Sequence, residues 1–197
     1  MVEREGYLVT DYLRTLIDLA RTSPMAQSII VLDQSLNRSR VGSLRVTDHD
    51  ALLETLGTST TSRGRAKALR AVRFSDGAAA NGGESYARVL MHRFGFPPPA
   101  LQSQHPNPRG GNYFADFEWP EYRLVGEFDG VSKYLKPEYL RRMTPGEAVV
   151  EEKIREDHIR AQGFRFVRWG MPDLRDPHRL RALLLAAGLP ERPLRST

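Results

Sequence analysis

Residues 112–134, NYFADFEWPEYRLVGEFDGVSKY, decide how the rest of this chain is read. They predict two short strands, Tyr113 to Trp119 and Tyr122 to Phe128, joined by a tight turn at Pro120-Glu121. Proline has its φ already set for a turn and lacks the N–H that a ladder would need, so an antiparallel hairpin is the natural arrangement. Asp116 and Glu127 fall on these strands, and Asp129 stands just before Gly130. Carboxylates are disfavoured on a pleated, half-buried surface because they must be desolvated or paired. A strand pair that keeps two of them has a simple use for them in a bound cation. Mg²⁺ takes oxygen ligands and can generate hydroxide from bound water near neutral pH. The pattern Asp-x10-Glu-x-Asp-Gly-x2-Lys, ending at Lys133, therefore supports metal-assisted phosphodiester hydrolysis. The alternative is a surface hairpin whose acids form salt bridges with arginines.

The chain has 197 residues, enough for one full domain and a helical extension. It has no cysteine, which excludes disulfides and thiolate metal sites. It also lacks an apolar run of membrane-spanning length, and residues 1–10 (MVEREGYLVT) do not resemble a signal peptide. A cytoplasmic protein without a membrane partner is expected. Net charge is +5, and of the 29 Lys and Arg residues only Lys67, Lys133, Lys136 and Lys153 are lysines. Arginine binds phosphate bidentately, so the excess fits nucleic-acid binding; codon composition explains it equally well.

Outside the hairpin the periodicity predicts helices over Tyr12–Arg21, Met25–Asn37, Thr47–Leu56 and Gly64–Phe74. Ser23 and Pro24 are read as cap and first residue of the second helix, and Asp33 within it as a solvated or capping acid. Residues 1–74 thus form a helical N-terminal region. Ser75 to Gly83 (SDGAAANGG) reads as a linker, its small residues poor at building a core. Residues 84–197 form an α/β domain: a helix from Glu84 to Phe94, a strand from Leu101 to His105, the acidic hairpin, a charged crossing from Leu135 to Pro145, a helix from Gly146 to Gln162, a strand from Phe164 to Trp169 and a last helix from His178 to Ala187. By itself Glu84 has an ordinary use, a favourable interaction with its helix dipole. The run Glu151 to Asp157 reads as a solvated face, with Glu152 or Lys153 able to turn toward a metal site. Alternation puts Arg165 opposite Phe164 and Phe166, and Arg165 and Arg168 are the expected phosphate contacts.

A helix with Glu84, strands with Asp116 and Glu127, then a helix and a fourth strand are similar to the restriction-endonuclease-like fold of the PD-(D/E)XK superfamily. More closely, GGES, Q-x-Q, DF-x-W-P, EFDG-x2-KY, E-K-x-RED and GF-x-FVRW resemble bacterial domains related to the very-short-patch repair endonuclease, found C-terminally in abortive-infection, type IV toxin–antitoxin-like proteins. The resemblance covers about residues 82–175. It implies a Mg²⁺ (or Mn²⁺) site made by Asp116 and Glu127 with Glu84 reaching in, and a nuclease acting in DNA repair or phage defence on nucleic acid, DNA first. Asp129 stands where the superfamily usually has lysine, so Lys133 would supply that cation from a shifted position, with Asp129 behind it. Many such relatives carry a separate DNA-binding domain, and a protein partner remains open. The competing expectation is a catalytically inactive nucleic-acid-binding or toxin–antitoxin-type regulatory module.

Overall fold

The computed structural model describes residues 1–39, 46–130 and 144–192. The chain divides into two compact units, Met1–Val89 and Leu90–Thr197. Together they make a mixed α/β protein whose main sheet has four strands.

The first unit opens with a hairpin, β1 (Val2–Arg4) paired antiparallel with β2 (Tyr7–Val9). Its two turn residues, Glu5 and Gly6, have φ of 50° and 81°, as a two-residue turn matched to strand twist requires. Helix α1 (Tyr12–Thr22) begins where Asp11 accepts the Arg14 N–H at 2.9 Å, and buries Leu16, Ile17 and Ala20. It runs one residue further than its periodicity predicts. Ser23 therefore closes α1, its N–H bonded to the Leu19 carbonyl, and Pro24 rather than Ser23 precedes α2 (Met25–Leu36). Helices α3 (His49–Thr58) and α4 (Arg65–Phe74) complete the bundle. Its core joins Leu16, Ile17, Ile29, Leu32, Leu52, Leu56 and Val72.

Two expectations change here. Asp33 is neither solvated nor a cap of its own helix: it is fully buried, accepts the Asp76 N–H at 2.7 Å and pairs with Arg88 at 2.7 Å. Burial raises its carboxyl above the ordinary range, against the pull of Arg88 and the Asp76 N–H. Residues 75–83 lie inside the first unit. Ala79 is fully buried and its carbonyl accepts from the Asn37 amide at 2.9 Å. Gly77 sits so close to α2 that a Cβ would meet the Leu36 carbonyl oxygen at 2.6 Å. Small residues build no core of their own, but they allow backbone to press against backbone. Helix α5 (Gly82–Arg93) follows.

The second unit is organised by the sheet β3 (Ala100–Pro106), β4 (Asn112–Trp119), β5 (Leu124–Asp129) and β6 (Arg165–Gly170), in that spatial order. Neighbours β3–β4 and β4–β5 are antiparallel; β5–β6 is parallel, with Val125 opposite Phe166. Parallel neighbours need a crossover, and α6 (Pro145–Ala161) lies between them in sequence. It starts at a reciprocal cap in which Thr144 and Glu147 satisfy each other's backbone N–H. Ile159 of α6 packs on Ala115 and Val125, with Tyr113, Phe164 and Phe166 around them. A second aromatic layer joins Phe117, Trp119 and Trp169, with ring centroids 6.4 and 5.1 Å from Phe117. Gly126 leaves the room these rings need.

The β4–β5 connection is wider than a two-residue turn. Pro120–Tyr122 make one 3-10 turn, and Arg123 takes a left-handed φ of 47° before β5 starts at Leu124. That strained residue is held by its own side chain, which donates to the Gln162 carbonyl and lies over the Phe164 ring at 4.4 Å. After β6 come a short helix α7 (Met171–Arg175) and α8 (Pro177–Ala186), the latter capped by Asp176. Among the described residues no helix is long and apolar enough to cross a membrane.

Candidate active site

The β4–β5 register pairs Phe117 with Gly126, so Asp116 and Glu127 occupy the neighbouring step on adjoining strands. Both are buried, at 8% and 1% exposure. Asp116 is oriented from two directions: its Oδ2 accepts the Phe128 N–H at 3.0 Å, and its Oδ1 accepts from Gln102 Nε2 at 3.4 Å. Gln102 takes a φ of 49°, and the β3–β4 pairs Leu101–Phe117 and Ser103–Ala115 flank the Gln102–Asp116 step. A local irregularity in β3 thus turns an amide toward the acid.

Glu127 meets a cation from α6. Arg155 Nη1 lies 3.1 Å from its Oε1 and Arg155 Nη2 lies 3.1 Å from its Oε2. The same guanidinium donates to the Phe114 carbonyl at 2.7 Å and to both oxygens of Glu152, at 2.7 and 3.1 Å. Glu152 is shared in turn with Arg168 at 2.9 Å, and Arg168 also reaches Glu156 at 2.9 Å and Asp129 at 3.5 Å. Helix α6, β5 and β6 are therefore joined by a chain of alternating charge. Burial works against the charged form of Glu152, but hydrogen bonds and charge from Arg155 and Arg168 prevail and pull its carboxyl down to about 2. Both guanidiniums are held more firmly protonated, again against burial.

Of the residues expected to act together, Asp116 and Glu127 are neighbours, with Asp129 and Glu152 tied to them through Arg168 and Arg155. Glu84 belongs to the first unit. Its carboxylate accepts the Ala80 N–H at 2.7 Å and the Asn81 amide at 2.6 Å, securing the turn that leads into α5. Lys133 lies outside the described residues. Arg168 is spent largely on acids, whereas Arg165 is exposed and donates to the Tyr122 carbonyl at 3.2 Å. Two side chains that touch the acids, Gln102 and Arg155, fall within the Q-x-Q and E-K-x-RED motifs but are not singled out there as site residues. Gln102 sits in the Q-x-Q pair, and Arg155 in a helical charge run that reads as solvated. Among the described residues no three His, Asp or Glu side chains are grouped as metal ligands, so an ion here would draw on these two carboxylates and on oxygens from water and substrate.

No family model matches the chain. No solved structure matches it either. It is 28% identical over 178 residues to two proteins of Mycobacterium tuberculosis, "Uncharacterized protein MT2308" from strain CDC 1551 / Oshkosh and "Uncharacterized protein Rv2248" from strain ATCC 25618 / H37Rv. The match takes in 90% of this chain and 60% of each relative, so the chain spans under two thirds of the length of the proteins it resembles.

Proposed function

We propose that the second unit is a restriction-endonuclease-like, metal-dependent nuclease that hydrolyses phosphodiester bonds in nucleic acid, DNA first, in DNA repair or phage defence. The observation that carries this reading is the pair of buried carboxylates, Asp116 and Glu127, at one step of adjoining strands. The order of three antiparallel strands, a crossover helix and a fourth strand parallel to the third supports it. The donor set fits Mg²⁺ or Mn²⁺ in kind, being all oxygen and carboxylate. When bound, the ion would polarise a phosphoryl oxygen and lower the pKa of bound water.

The chain's own residues have separable tasks. The Phe128 N–H and Gln102 fix the rotation of the Asp116 carboxylate. Glu152 anchors Arg155, whose guanidinium donors are shared among Glu127, Glu152 and the Phe114 carbonyl, so that its task is to hold and orient Glu127. Glu84 as a third ligand, and Lys133 near the attacking water, rest on the family resemblance alone.

A second reading has its own support. Both oxygens of Glu127 are held by Arg155, which is how a purely structural buried acid is neutralised. That favours a non-catalytic nucleic-acid-binding or toxin–antitoxin-type regulatory module. Plasmid nicking and oligonucleotide cleavage with Mg²⁺ or Mn²⁺ decide between them. The nuclease reading expects cleavage by the purified protein and none by Asp116→Ala; equal residual cleavage by both hands the case to the binding module.

A further inference from the structure

Within the first unit, Arg14, Asp18, Arg21, Thr22, Thr61 and Arg63 line a cavity of about 430 Å³. This volume is in the range of small-ligand sites. Its wall is built around Arg21, which is 7% exposed. Arg21 Nε and Nη2 donate to the Arg63 carbonyl at 2.8 and 2.7 Å, Nη2 also to the Thr61 carbonyl at 2.7 Å, and Nη1 to Ser59 Oγ at 2.9 Å. The loop between α3 and α4 is thereby tied to α1. It is tied closely: a Cβ on Gly64, whose φ is 73°, would meet the Arg21 carbonyl oxygen at 2.8 Å. The cavity is preformed by these contacts.

The remaining cations are less committed. Arg14 uses Nε on Asp18 at 2.7 Å, and its terminal nitrogens have no hydrogen-bond partner among the described residues. The Arg63 guanidinium has neither a hydrogen bond nor an ion pair among the described residues, while its carbonyl is fixed by Arg21. Lys67 stands alongside, donating to the Thr22 carbonyl at 3.3 Å. Three guanidiniums and one carboxylate around a single cavity select an anion. Two guanidinium forks with open donors suit phosphate, which offers three oxygens, better than a carboxylate, which a single fork satisfies.

We propose that this cavity binds the phosphate of a nucleotide, either free or within a nucleic-acid strand. The proposal does not depend on the nuclease reading, because it concerns the other unit and none of its acids.

The test is calorimetry with pyrophosphate and with a mononucleotide, and fluorescence anisotropy with a short labelled oligonucleotide, all at low salt with EDTA present. Chelation keeps the outcome independent of whether the second unit cleaves. Wild type should bind, and the double variant Arg14→Gln/Arg63→Gln should lose about tenfold or more in affinity, as expected for losing charge-assisted hydrogen bonds. Its melting temperature should hold, because the Arg21 framework is untouched. Arg63→Lys should retain part of the affinity, and Asp18→Asn should tighten binding by removing the competing acid. Binding of mononucleotide and oligonucleotide alike identifies a free-nucleotide site; binding of the oligonucleotide only identifies a strand phosphate. No binding of any probe by wild type, or equal affinity in the double variant, overturns the proposal.

Discussion

Arg155 grips both oxygens of Glu127, one terminal nitrogen to each, at 3.1 Å and 3.1 Å. The carboxylate is 1% exposed, so the pair sits where a charge without its counter-charge is costly. Removing one partner of a buried pair commonly costs about 3–5 kcal/mol, while replacing both can be nearly neutral. Arg155→Met should therefore destabilise the protein by an amount in that range. Adding Glu127→Gln should recover much of it. Urea unfolding of the two single variants and the double variant measures this; a double variant no more stable than Arg155→Met removes the claim.

If a divalent ion also uses Glu127, the guanidinium and the ion compete for the same oxygens. Mg²⁺ or Mn²⁺ should then raise the melting temperature of Arg155→Met more than that of wild type, because a ligand stabilises in proportion to its affinity for the native state. Asp116→Asn should abolish the shift in both backgrounds. Thermal scans against metal concentration provide the comparison, and identical shifts with and without Arg155 would separate Glu127 from the metal.

Glu152 makes a prediction with a definite sign in pH. Its carboxyl is lowered from 4.5 to about 2 in the folded protein, so it is ionised there when the unfolded chain has already taken up a proton. The stability it contributes is fully present above 4.5 and is lost as pH falls toward about 2. Glu152→Gln should be less stable than wild type near neutrality, with the gap closing on acidification. A pH-independent gap would mean that the residue acts by packing and not by charge.

Gly126 is required by its neighbours and not by its backbone angles. A Cβ there would stand 2.7 Å from Trp169 Cη2 and 3.0 Å from Trp119 Cζ3. Gly126→Ala should cost about 1–3 kcal/mol, the usual range for overpacking a filled core. Indole fluorescence should report the displaced rings during unfolding, and an unperturbed spectrum with wild-type stability would contradict this packing.

Much of the local structure was legible because it depends on neighbours in sequence. The caps at Asp11 and Asp48 lie within three residues of the N–H groups they satisfy, and the apolar period over Leu16, Ile17 and Ala20 identifies a buried helical face without reference to any other element. The two acid-bearing strands were legible for the same reason, since alternation and a proline turn are local. What the tertiary structure decided were the partners. The run around Glu152, Arg155 and Glu156 satisfies its own i,i+3 and i,i+4 pairing rules, so it looks solvated until α6 is laid against the sheet and Arg155 meets Glu127. Asp33 is an ordinary helix acid until Arg88, far along the chain, closes over it. Residues 75–83 look like a spacer because smallness signals both flexibility and close backbone approach, and only the contact with α2 distinguishes them. Composition supplies the charges and periodicity supplies the elements. Which charge is desolvated beside which is a long-range relation that depends on how the elements pack.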